Sequence, residues 1–216
     1  MKKLHYLFLV QLFTFFLSPL KAQDTVIVLK DPGFEETPKL GGQTLEIIKE
    51  WTDCGKIKFP SETPPDIHPN GYWGNNIPPH QGKTYLGMVV RDNGSNESVS
   101  QKCSSNLLKS HKYEMSVHLA QSPNLISGSR SYGVVVNSTT PTVLQVWGGT
   151  NNCDEVELLY ESPPIDHNEW KTYTFWFRPK SNISTLTFSA YYKRNTIVAY
   201  NGHILLDTVS DIIQIE

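Results

Sequence analysis

The ten residues "HKYEMSVHLA" (111–120) place the tightest limit on what this chain folds into. Tyr113, Met115, Val117 and Leu119 alternate with Lys112, Glu114, Ser116 and His118. Successive side chains of an extended strand point to opposite faces, so this run is a strand with one face in a core and the other towards water. "EWKTYTFWFRP" (169–179) repeats the pattern with Trp170, Tyr173, Phe175 and Phe177. Its apolar phase slips between Trp170 and Tyr173, as a bulge or a strand start would cause. Similar runs at 25–29, 84–90, 96–102, 131–137, 142–147, 155–160, 184–192 and 203–215 are separated by Gly, Pro, Asn and Ser clusters. Almost nothing has helical periodicity. Short strands at this spacing predict an all-β, single-domain antiparallel β-sandwich.

Residues 1–22 stand apart from that pattern. Lys2 and Lys3 precede the apolar stretch "YLFLVQLFTFFLSPL" (6–20), and Ala22 is the small residue expected before a cut. This is the layout of a signal peptide. Gln11, Thr14 and Pro19 interrupt the stretch, which is too short for a good membrane span. No cysteine follows it to carry a lipid, so the chain is expected to be secreted, periplasmic or at the cell surface. The remainder, 23–216, is 194 residues with 16 basic and 21 acidic side chains, a formal charge of −5. Its lysines are scattered, which gives no electrostatic case for nucleic acid or an anionic membrane as partner.

Three cysteines remain, Cys54, Cys103 and Cys153. An odd count in an oxidising compartment allows at most one bridge. Cys54 and Cys153 lie in the turn-rich stretches "WTDCGK" and "GGTNNCDE", so theirs is the expected pair. Three separately buried thiols are the alternative. No Cys-x-x-Cys or Cys/His spacing points to zinc.

Catalytic signatures are absent: no Gly-x-Ser-x-Gly elbow, no His-Glu-x-x-His, no phosphate loop. In "CDEVELLYE", Glu155, Glu157 and Glu161 share one strand face, opposite Val156, Leu158 and Tyr160. That predicts a solvated face with a buried back. The spacing Glu-x-Asp-x-Glu of sandwich glucanases does not occur.

Residues 51–82 hold six prolines and four glycines with little periodicity, and a loop this long is functional or disordered. Within it, "PPDIHPNGYWG" groups Asp66, His68, Tyr72 and Trp73. A sugar ring packs its C–H face on an aromatic plane while its hydroxyls take bonds from Asp, Asn, Arg or Gln. Loops on a rigid scaffold are where such groups collect. Trp73 in "NGYWGNN" and Trp147 in "LQVWGGTNN" have that setting, and Arg91 and Asp92 at the end of "TYLGMVV" add polar contacts. Trp51, Trp170 and Trp176 are assigned to the core.

The two ends of the chain add a further signal. "DPGFEE" (31–36) near the start and "NGHILLDTVSDIIQI" (201–215) near the end, with "NEWKTYTFWFRP" (168–179) between, resemble the galactose-binding-like β-jelly-roll superfamily, in particular its carbohydrate-binding modules. "GKTYLGMVVRDN", "LQVWGG" and "ELLYESPPI" also resemble secreted domains of Bacteroidetes. The resemblance implies a jelly roll and a structural Ca²⁺ joining first and last strands, with Glu35 and Asp207 as side-chain ligands and Gly33 offering a carbonyl. Ca²⁺ takes six to eight oxygens, which carboxylates from distant strands plus loop carbonyls suit. Phe34, between the turn and Glu35, is expected to anchor the first strand in the core. The function implied is a secreted, non-catalytic module recognising carbohydrate or a glycoconjugate through loop aromatics. The alternatives are a jelly-roll hydrolase built on Asp66, His68 and Asp92, and an adhesion module that binds other surface proteins.

Overall fold

The structure, a computed structural model, describes residues 25–35, 50–56, 58, 62, 64–69, 73–129 and 133–215. The expected signal peptide and Tyr72 lie outside the described residues. The strands are β1 (Val26–Ile27), β2 (Thr52–Asp53), β3 (Asp66–His68), β4 (Tyr85–Val90), β5 (Ser98–Leu107), β6 (Tyr113–Gln121) and β7 (Ile126–Gly128). They continue with β8 (Val135–Asn137), β9 (Thr142–Gly149), β10 (Glu157–Glu161), β11 (Lys171–Phe177), β12 (Ile183–Tyr192), β13 (Gly202–Asp207) and β14 (Ile212–Gln214).

All pairings among them are antiparallel. β6 is the hub of a seven-stranded sheet: β11 runs along one edge, and β13 and β14 share the other edge in succession. β13 leads outward to β4 and β3, and β14 leads to β1. The second sheet has the order β10-β9-β12-β5-β2, and β7 and β8 form a separate hairpin. The run 203–215 is therefore two strands. They part at Thr208, whose φ of 46° turns the chain, and Ser210 then regains the backbone of Ser116.

Strand alternation decides which side chains meet between the sheets. Leu86, Met88 and Val90 of β4, Met115, Val117 and Leu119 of β6, and Ile204 and Leu206 of β13 face Leu144 and Val146 of β9 and Leu186, Phe188 and Ala190 of β12. Each large side chain so buried contributes roughly 1.5–3 kcal/mol. The two sheets and this shared core make the β-sandwich that the alternation predicted. Phe34 is enclosed in it, with its ring 5.2 Å from that of Trp51.

Two expectations are corrected. Trp176 is 56% exposed. Tyr173, Phe175 and Phe177 take the inward positions of β11, so Trp176 points outward and donates from Nε1 to Glu114 at 2.6 Å. Trp170 shares that outward phase, half-buried. In β10 the register shifts between Leu158 and Tyr160, so Leu159 and Tyr160 reach the core while Val156 and Leu158 stay exposed.

Cys54, just after β2, is bonded to Cys153 in the β9–β10 connection, with Cα atoms 5.3 Å apart. Cys103 is a buried free thiol in β5. No helix among the described residues is long and apolar enough to cross a membrane.

The outer face of the seven-stranded sheet is not bare. Tyr85, Ala120 and Leu205 form a second small apolar cluster there, and Ile77 and Trp170 rest on it. Residues 73–84 thus run as a strap over this face.

Candidate functional site

The strap covers one end of the outer face, where β3, β4 and β13 lie side by side. Ile67 of β3 points into the core, so Asp66 and His68 on either side of it point outward. The same alternation turns His203 outward beside Leu205. In register, Asp66 and Leu205 both lie opposite Gly87, and His203 lies opposite Val89. His68 stacks on Tyr85 at 5.4 Å and stands 5.5 Å from the ring of His203, which receives the edge of Trp73 at 5.3 Å. Trp73 itself is half-buried.

The charged groups beneath are paired. Glu97 is fully buried, accepts the Val89 amide at 2.9 Å and contacts the Arg91 guanidinium through its other oxygen. Burial pushes its carboxyl up to about 8, against the pull of Arg91 and with a further push from the charge of Asp66. Burial holds the His68 imidazole down to about 4, although a bond to the Asn75 backbone raises it. Burial, with the neighbouring His68, holds His203 down to about 3. Both imidazoles are therefore neutral at ordinary pH.

Asp92 follows Arg91 and turns to the rim. Its amide donates to Asn201 Oδ1 at 2.9 Å, and its Oδ2 accepts from Ser129 Oγ at 2.6 Å. It lines a recess of about 400 Å³ with Ser138, Thr140, Tyr200, Asn201 and the exposed Val134 and Val198. Asn201 stands immediately before β13, two residues ahead of His203.

The structure thus brings Asp66, His68, Trp73, Arg91 and Asp92 to one end of one sheet. Trp147 is elsewhere. Leu144 and Val146 of β9 face the core, so Trp147 lies on the outer face of the five-stranded sheet, half-buried, donating to Gln145 Oε1 at 3.2 Å. Of the residues considered for a hydrolase, Asp66 and His68 are buried, while Asp92 bonds Ser129 and Asn201. Glu97 and His203 were missed at the sequence level. A polar residue at an outward strand position looks solvated until something is known to cover it, and only the alternation "GHILLD" hinted that His203 shares a face with Asp207.

Glu35 and Asp207 also meet on the strap. Glu35 Oε1 accepts the amides of Lys83 at 2.7 Å and Thr84 at 3.0 Å. Asp207 Oδ2 accepts those of His80 at 2.7 Å and Gln81 at 3.1 Å, and its Oδ1 accepts the Thr208 hydroxyl at 3.0 Å. Between them Gly82 has φ +69°, and a Cβ there would run into the Glu35 carboxylate. One oxygen of each carboxylate is therefore engaged by amide protons. Among the described residues, no three His, Cys, Asp or Glu side chains form a group that could hold a metal ion.

No protein-family model and no curated protein matches the chain. Solved structures do. An arabinose-bound α-L-arabinofuranosidase (MgGH51) superposes with a TM-score of 0.52 at 11% identity, over 87% of this chain but 26% of that enzyme. The CBM22-1 xylan-binding domain of Paenibacillus barcinonensis Xyn10C gives 0.46 at 14% identity, over 85% of this chain and 92% of that one. The K2 cleaved adhesin domain of Lys-gingipain gives 0.46 at 11% identity, over 91% and 99%. The chain corresponds to about a quarter of the arabinofuranosidase's length, and at this identity the likeness is one of fold.

Proposed function

We propose that this protein is an extracytoplasmic, non-catalytic carbohydrate-binding module whose sugar face runs from Trp73 to the recess at Asp92. The observation that carries the reading is the recess of about 400 Å³ lined by Asp92, Ser138, Thr140, Tyr200 and Asn201 together with Val134, Val136 and Val198. A recess of a few hundred Å³ with few polar groups on rigid strands suits one or two sugar units. Asp92 and Asn201 would bond hydroxyls, and Tyr200 and Trp73 would pack on C–H faces. The enclosed pairs Arg91–Glu97 and His68–His203 hold the strands that present them.

The proposal includes a structural calcium ion, held by the remaining oxygens of Glu35 and Asp207 and the Gly33 carbonyl. Its support is the convergence of both carboxylates on residues 80–84.

A glycan array of plant and microbial polysaccharides, probed with the 23–216 chain, tests the sugar face. Trp73→Ala is expected to weaken binding at least tenfold and Trp147→Ala to leave it unchanged. Binding that survives Trp73→Ala, or that Trp147→Ala removes, moves the site to the other sheet and withdraws this assignment.

A further inference from the structure

The recess beside Asp92 changes character along its length. One wall is β8 with its flanking residues, where Val134, Val136 and Ser138 alternate onto the recess and Thr140 follows. The other wall is the segment leading into β13, with Val198, Ala199, Tyr200 and Asn201. Each wall begins with valine and ends with polar groups. The later ends are held together: the Pro141 carbonyl accepts the Tyr200 hydroxyl at 2.8 Å, and the Thr140 carbonyl lies 2.6 Å from where a Cβ on Gly202 would stand. The recess therefore has an aliphatic end and a polar end.

The two ends offer different things to a ligand. Val134, Val136 and Val198 are 51%, 44% and 64% exposed, three branched side chains around one space. Covering them removes apolar surface from water, which is favourable. The hydroxyl nearest them is already engaged. Ser129, whose amide bonds the Val134 carbonyl at 2.7 Å, gives its hydroxyl to Asp92 Oδ2 at 2.6 Å. The Tyr200 hydroxyl also accepts the Lys193 amide at 2.9 Å, so this residue presents its ring. At the polar end, Asn201 uses its oxygen on the Asp92 amide and keeps its amide nitrogen for a ligand, beside the hydroxyls of Ser138 and Thr140. Among the described residues that line the recess there is no Lys, Arg or His, so nothing there calls for an anion.

We propose that the ligand is an uncharged sugar carrying a methyl-terminated group, a 6-deoxy methyl or an O-acetyl, which lies on the valines while the sugar hydroxyls meet Ser138, Thr140 and Asn201. The assignment rests on the recess being the sugar site. An ordinary hydroxymethyl group would press its hydroxyl onto the valines, where it finds no partner, and burying a hydroxyl unbonded is costly. One carbon more or less in an apolar pocket discriminates by about tenfold or more.

The test titrates the 23–216 chain calorimetrically with matched pairs. These are methyl 6-deoxygalactoside and methyl galactoside, methyl 6-deoxymannoside and methyl mannoside, and an acetylated xylan oligosaccharide before and after alkaline deacetylation. In at least one pair the methyl-bearing member is expected to bind about tenfold tighter. The deoxy pairs and the acetyl pair separate the two sources of the methyl. Val136→Ser combined with Val198→Ser is expected to bring that pair within twofold, and Val198→Ser alone serves where the double variant does not fold. Thr140→Val should weaken both members alike. Equal affinities within every pair overturn the proposal and leave the sugar site standing, as does a preference that survives the serine substitutions in folded protein. Array hits confined to glycans without such a group overturn it as well. Binding of no member, together with a silent array, overturns both readings. A concentration-dependent dimer that the serine variant loses, with no preference within the pairs, gives the valines to a second copy of the chain instead.

Discussion

Glu97 lies wholly inside the protein, against Arg91 on one oxygen and the Val89 amide on the other. Its burial raises the carboxyl from 4.5 to about 8. A carboxyl raised on folding binds its proton more tightly in the native state than in the unfolded one. Its contribution to stability is then complete below about 4.5 and is lost as pH rises through about 8. Glu97→Gln removes the titration while keeping the shape. Thermal melts across that window are expected to show the parent protein losing melting temperature, relative to the variant, as pH rises. Parallel curves would show that Arg91 keeps Glu97 ionised throughout. Nothing in "NESVS" distinguishes this residue from an ordinary surface glutamate. What makes it special is Arg91, six positions earlier, turned back onto it by the β4–β5 connection.

At the scale of elements, the strap over the outer face is fastened by two carboxylates. Asp207 takes the amides of His80 and Gln81, and Glu35 those of Lys83 and Thr84. The stacked rings of His80 and His118, 3.6 Å apart, add a third fastening. His80, Gln81 and Lys83 are exposed, so removing one acceptor returns their amides to water, at about 0.5–1.5 kcal/mol for each bond lost. Asp207→Ala is therefore expected to speed hydrogen exchange at His80 and Gln81 by about tenfold or more, while amides in the core of β12 keep their rates. Chelator should raise exchange across 80–84 in the parent protein if calcium shares these carboxylates. Rates unmoved by chelator assign the clasp to amide hydrogen bonds alone, and rates unmoved by Asp207→Ala remove the clasp. The pairing of "GFEE" with "LLDTVSD" could be suggested from the sequence through resemblance. That the partners include amides of 80–84 could not, because a prolyl- and glycyl-rich segment has no side-chain period to show where its backbone lies.

For the molecule as a whole, the alternating runs carried the fold further than they carried the site. Tyr113, Met115, Val117 and Leu119 sit where alternation puts them, and so do Phe175 and Phe177. Alternation failed where a strand is very short or changes phase: β2 and β3 lie unseen inside 51–82, and β10 slips a residue at its bulge. Trp176 shows the opposite error, a large apolar ring read as core although its phase in β11 is outward. The candidate residues Asp66, His68 and Trp73 stand together within "PPDIHPNGYWG", but their burial was not legible there, since burial depends on what the strap covers. The Cys54–Cys153 bridge ties residues 99 apart across one end of the five-stranded sheet. In the chain-entropy account, a loop of that length is worth about 4–5 kcal/mol. Reduction is expected to lower the urea midpoint accordingly, and an unmoved midpoint would show that the second sheet holds without it.

The two fastenings of the strap also set a timetable. His80 leaves the ribosome 127 residues before Asp207, its partner. Until β13 has been made, the strap has nothing on that side to grip and His203 is not there for Trp73 to cover. The sandwich can begin to collapse around β4, β5 and β6 much earlier, since domains gather structure as they emerge. The fastening of the strap is therefore completed late. A chain arrested before β13 would leave Tyr85 and Ala120 without Leu205 and the strap without its Asp207 fastening.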